Sequence, residues 1–137
     1  MRVFLACPPS MEREDAIEPA NDLKQILRGM KDLDVITSME EFDRSFNEKG
    51  SWENWIEFIV NGRHYTSQKP LFECYVMTQR DVDKATAQIA ERALRTGKPV
   101  FYMEGLTLRQ VQTVRHLFDS PEMEEWKLTF PEDGDKI

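Results

Sequence analysis

Residues 71–103 read LFECYVMTQRDVDKATAQIAERALRTGKPVFYM, and this stretch decides the fold. Its first seven residues are apolar except for Glu73, and they are rich in aromatic and branched side chains. So short a run reads as a strand buried on both faces. A polar turn, Thr78-Gln79-Arg80-Asp81, follows, and Asp81 or Asp83 is placed to cap a helix. Ala85, Ile89, Ala93 and Leu94 then form a narrow apolar stripe at helical spacing. Gly97 stands where a left-handed helix cap belongs, and Pro99 forbids continuation. Residues 100–103 form a second buried strand. Strand, helix, strand is a βαβ unit, whose crossover is right-handed in nearly every parallel sheet.

Outward from that unit, the chain alternates the same two patterns. Residues 2–7 (RVFLAC) are a buried strand stopped by Pro8-Pro9, which lack N–H groups. Residues 10–16 read as a polar loop. Pro19 suits a first helical turn, after which Ala20, Leu23, Ile26, Leu27 and Met30 share one face, and Gly29 and Asp32 end the helix. Residues 34–38 form a short second strand. Residues 40–50 (EEFDRSFNEKG) read as a long polar connection, the kind of loop that carries function. Ser51 is an N-cap for a helix whose stripe is Trp52, Trp55, Ile56, Ile59, Val60 and Arg63. Most of that stripe is core packing, and Trp52, at its exposed start, is the member best placed to line a pocket.

Beyond residue 103, Thr107-Leu108-Arg109-Gln110 has the form of a capping box ahead of an apolar face at Leu108, Val111, Val114, Leu117 and Phe118. A fourth long helix is therefore expected there. Trp126, Leu128 and Phe130 alternate with Lys127 and Thr129 as an edge strand, and residues 131–137 form an acidic tail. Five strands alternating with four helices predict an α/β fold over residues 1–130. The expected architecture is an open parallel five-stranded sheet, flavodoxin-like order 2-1-3-4-5, with helices on both faces.

Bulk properties narrow the function. A chain of 137 residues is the size of one domain. Its net charge of -7 excludes a long nucleic acid, which requires a basic stripe, but not a single nucleotide. No apolar run reaches the roughly 18–20 residues that span a bilayer, and Met1-Arg2 leads into a strand and not a signal peptide. No membrane partner is expected. The two cysteines, Cys7 and Cys74, fall in or beside buried strands, which reads as reduced thiols of a cytoplasmic protein. His64 and His116 lie apart, with no metal-ligand cluster around either.

In an open α/β sheet, ligands bind beyond the carboxyl ends of the strands, at the switch point between strands 1 and 3. That rule gathers residues 7–13, 38–46, 78–85 and 104–105 around one crevice. There is no P-loop, no G-x-G-x-x-G after the first strand, and no aspartate cluster for Mg²⁺. A Ser-His-Asp hydrolase has no support either, because neither histidine lies on an expected strand-end loop. No cofactor is called for.

A first strand ending in L-A-x-P-P-S, a Trp-bearing helix before strand 3, and the segment T-Q…D-x-x-x-A…A-x-x-x-G-K-P-V together resemble the nucleoside 2-deoxyribosyltransferase-like superfamily. That group includes small nucleoside 5′-monophosphate N-glycosidases and many short phage and bacterial proteins. The similarity covers roughly residues 2–103 and is most specific over 83–100. It implies cleavage or transfer of an N-glycosidic bond at C1′ of a (deoxy)ribose, with a carboxylate that attacks C1′ or offsets an oxocarbenium-like centre. It also implies homo-oligomers with sites near the interface, and a nucleoside or nucleotide as the small-molecule partner.

The chain departs from the family pattern where the chemistry would lie. Counting back from Gly97-Lys98-Pro99, the family's glutamate position falls on Ile89, with Gln88 beside it and Glu91 two residues later. At about 100° per residue, Glu91 is turned roughly 200° from Ile89. Cys7 replaces the usual glycine after strand 1, and Leu71 or Phe72 replaces the acidic residue often starting strand 3. The candidate catalytic carboxylates are thus relocated ones: Asp81, Asp83 and Glu91. Candidate substrate-binding residues are Cys7, Pro8, Pro9, Ser10, Asp43, Trp52, Gln79, Thr86 and Gln88. The plainer reading of Asp81, Asp83 and Asp43 is as helix caps and solvated loop charges. Cys7 has a sharper reading as a lowered-pKa nucleophile and a plainer one as a packed, inert thiol. The alternatives to an enzyme are a nucleotide- or nucleotide-sugar-binding protein that has lost catalysis, and a structural or interaction domain using the aromatic stretch 42–52.

Overall fold

A computed structural model describes residues 1–8, 11–61, 71–79, 82–120 and 123–129. Its centre is a five-stranded sheet with strand order β2-β1-β3-β4-β5. Strands β1 (Arg2–Ala6), β2 (Asp34–Thr37), β3 (Cys74–Met77) and β4 (Val100–Glu104) are parallel. Val3 of β1 pairs with Val35 on one side and Cys74 on the other, so β1 is flanked by strands on both edges. Alternation then sends successive side chains to opposite faces. Phe4 and Ala6 join a core with α3 (Trp52–Asn61) and α4 (Lys84–Arg95), while Val3, Leu5 and Cys7 join one with α1 (Ile17–Ile26). Phe4, Phe72 and Tyr75 fill the first of these cores, with ring centroids 5.2 to 5.9 Å apart. The order 2-1-3-4-5 and the helix-covered faces agree with the sequence reading.

The helix ends follow local chemistry. Ser51 Oγ accepts from Asn54 N at 3.2 Å at the start of α3. Asp83 caps α4, accepting from Ala85 N and Thr86 N at 3.1 and 3.3 Å. Past the end of α4, Gly97 takes the left-handed conformation expected of it, φ 85°.

Four elements differ from expectation. Residues 40–50 are not a loop but most of a helix, α2 (Ser38–Lys49). Thr37 caps it, accepting from Glu40 N at 3.2 Å, and Gly50 closes it at φ 76°. Thr37-x-x-Glu40 has the form of a capping box, and that signal stands in the sequence beneath the polar composition. The loop expected over 10–16 likewise contains a 3₁₀ turn, Arg13–Ala16.

The helix expected from Thr107 is absent. Gly105 (φ 61°) and Leu106 instead make a two-residue turn, and β5 (Thr107–Gln110) returns antiparallel along β4, so the sheet is mixed and not wholly parallel. Gly105 occupies the first turn position, which takes glycine in a type II′ hairpin. Leu108 and Val111 are buried, and Val111 N donates to Val100 O at 2.8 Å. Tertiary burial and the ladder thus overrode a local helix signal already weakened by β-branched Thr107, Val111, Thr113 and Val114. Finally, β6 (Thr113–Ser120) and β7 (Met123–Thr129) form a separate antiparallel hairpin against α4. The Trp126 strand is therefore not an edge of the main sheet.

Candidate functional site

A cavity of about 880 Å³ opens at the carboxyl end of β1, bordered by the start of α2 after β2 and by Tyr75 of β3 and α4 beyond it, and the strand order reverses between β1 and β3. Its floor is Ala6, Cys7 and Tyr75, and its walls come from α2, α3, α4 and the segment between β1 and α1. The size and position suit a small organic ligand.

Cys7 is tied to the start of α2 in both directions. Its N–H donates to Ser38 Oγ at 2.8 Å, and Ser38 Oγ donates to Cys7 O at 3.3 Å. Burial pushes the Cys7 thiol up to about 11, partly offset by the Ser38 hydrogen bond and reinforced by the charge of Glu40. Cys7 is thus a neutral thiol in the floor, and the nucleophile reading is corrected: it needs a lowered pKa. Tyr75 remains a neutral phenol. Its pKa is raised well above the usual value by burial first and by Asp83 and Cys7 after that, and its hydroxyl donates to Thr86 O at 3.1 Å.

The aromatic wall is built from α2 and α3. Trp55 is held by its Nε1, which donates to Ser45 Oγ at 2.8 Å, and Ser45 Oγ donates in turn to Glu41 O at 2.8 Å. Trp52 packs on Trp55 with ring centroids 5.3 Å apart, and its Nε1 donates to Gln88 Oε1 at 2.9 Å. Phe42 meets the edge of Trp55 and stacks on Phe46 at 4.4 Å. At the mouth, Arg13 forms an ion pair with Asp43, joining the 3₁₀ turn to α2.

Of the residues singled out from sequence, Cys7, Asp43, Trp52 and Thr86 line the cavity. Gln88 stands behind the wall and positions Trp52. Pro8 follows β1, where its carbonyl accepts from Met11 N at 2.9 Å, and Gln79 is exposed beyond β3; neither lines the cavity. Pro9, Ser10 and Asp81 lie outside the described residues. Asp83 spends its carboxylate on the α4 cap, including a bond from Thr86 Oγ1. Glu91 pairs with Arg95 away from the cavity, whereas Ile89 is in its wall. The helix rotation that separates Ile89 from Glu91 thus has a physical counterpart.

Sequence reasoning did not place Tyr75, Trp55 or Ile17 at the crevice, and these also line the cavity. Strand alternation from Met77 puts Tyr75 on the same face, and that signal was available. No family model, curated protein or solved structure matches the chain. Among the described residues there is no metal-binding group of three or more His, Cys, Asp or Glu, and no helix is long and apolar enough to cross a membrane.

Proposed function

We propose that this chain is a nucleoside-handling protein related to the nucleoside 2-deoxyribosyltransferase-like superfamily, with the cavity as its ligand site. One observation carries the reading: an aromatic-walled cavity of about 880 Å³ lies at the switch point of a 2-1-3-4-5 sheet. Trp52 and Phe42 offer apolar surface for a flat base. Thr86 and Tyr75 also line it, with their hydroxyls donating to Asp83 and to Thr86 O. With Ile89 in the wall at the position the resemblance assigns to the attacking glutamate, binding without turnover is the better supported form of this function. Two free, buried cysteines suit a reducing compartment.

A second reading, C1′ chemistry, is favoured by Asp43, a carboxylate that does line the cavity. Incubation with a panel of nucleosides and nucleoside 5′-monophosphates, with and without an acceptor base, separates the two. Chromatography reads free base, and calorimetry on the same panel reads binding. Saturable binding without base release supports the first reading. Base release that is lost in Asp43→Asn supports the second. A flat titration with every compound sinks both.

A further inference from the structure

A phosphate at such a crevice is normally held by free backbone N–H groups at a helix start and by a cation. Here four such amides, and the cation, are already engaged. The first-turn amides of Ala85 and Thr86 donate to the Asp83 carboxylate at 3.1 and 3.3 Å. The Glu40 amide donates to Thr37 Oγ1 at 3.2 Å, and the Cys7 amide to Ser38 Oγ at 2.8 Å. Among the described residues lining the cavity, Arg13 is the one cation, and Asp43 pairs with it. An incoming phosphate would have to displace the Asp83 or Asp43 carboxylate, or the hydroxyl of Thr37 or Ser38, and would gain little by the exchange.

The remaining charge points the other way. Glu12 and Glu14 line the cavity, and among the described residues neither forms an ion pair, so three carboxylates face one guanidinium. They share the cavity with the aromatic side chains of Phe42, Trp52 and Trp55, and a lining that combines aromatic rings with carboxylates attracts cations. The net charge of -7 favours approach by cations over anions.

We infer that the cavity selects a ligand bearing positive charge on a flat ring and lacking a phosphate. Within the nucleoside reading, on which this inference rests, the class is a cationic N-glycoside such as a pyridinium riboside and not a 5′-monophosphate. Three matched probes test it by calorimetry: nicotinamide riboside with its cationic ring, the dihydro form with a neutral ring, and nicotinamide mononucleotide, which adds the phosphate. The cationic riboside should bind about tenfold more tightly than the neutral one, and the phosphate should weaken binding. The double variant Glu12→Gln/Glu14→Gln, at exposed rim positions, should close the gap between cationic and neutral forms. Equal binding of the two ribosides, or tighter binding of the mononucleotide, overturns the charge selection and leaves the nucleoside reading standing. No binding by these probes or by uncharged nucleosides removes both.

Discussion

Trp52 Nε1 donates to Gln88 Oε1 at 2.9 Å, so a residue outside the cavity fixes the orientation of a residue in its wall. The bond joins the first turn of α3 to the middle of α4, and it orients an indole whose own helix end is exposed on one side. Any ligand that rests on Trp52 therefore depends on Gln88 without touching it.

Replacing Gln88 with Ala should lower stability by about 1 kcal/mol, the net worth of a typical hydrogen bond. It should weaken ligand binding several-fold, because Trp52 must then be ordered on binding. Gln88→Glu keeps the acceptor and should retain most of the affinity. Urea unfolding and calorimetry check both. Unchanged binding in Gln88→Ala would show that the indole orientation is set by packing on Trp55 alone.

Asp83 separates a capping role from a catalytic one. Asp83→Ala removes the acceptor of Ala85 N and Thr86 N and should cost about 1 kcal/mol of stability. Asp83→Asn retains a capping oxygen and should be close to wild type in a thermal melt. Should Asn abolish an activity that the protein otherwise shows, while leaving stability intact, the cap reading is incomplete.

Both thiols resist ionisation in the folded state. Burial raises Cys7 to about 11 and Cys74 to about 12, from an ordinary value of 9.0. Below pH 9 the thiols are protonated whether the chain is folded or not, and the stability they permit is fully present. As pH rises through 9 toward 11 and 12 the unfolded chain loses protons first, so stability falls. A Cys7→Ala/Cys74→Ala variant should lose less stability than wild type between pH 8.5 and about 11. Iodoacetamide at pH 8 should label the native protein no faster than it unfolds. Rapid labelling of Cys7 in the native protein would contradict the buried neutral thiol.

The sequence alone carried the βαβ unit, because an apolar run, a capping aspartate, a helical stripe and Gly97-Lys98-Pro99 are all local signals. Buried parallel strands such as RVFLA and CYVM announce themselves by composition, and their order followed from the fold rules for alternating strands and helices. The position of the crevice, Trp52 as a wall residue and the displacement of Glu91 from Ile89 were legible for the same reason: each needs only strand ends or helix rotation.

Tertiary structure decided what local signals leave open. Residues 107–118 carry a helix-like capping box, but pairing of 107–110 with β4, burial of Leu108 and Val111, and pairing of β6 with β7 made strands of them. Residues 38–49 look polar because one face of α2 borders solvent, while Glu41 and Ser45 are buried on the other. Which carboxylates remain available at the cavity was also beyond the sequence. Asp83 is consumed by backbone amides, Asp43 by Arg13 and Glu91 by Arg95, whereas Glu12 and Glu14 line the cavity. Composition counts charges, but only the folded chain assigns each one a partner.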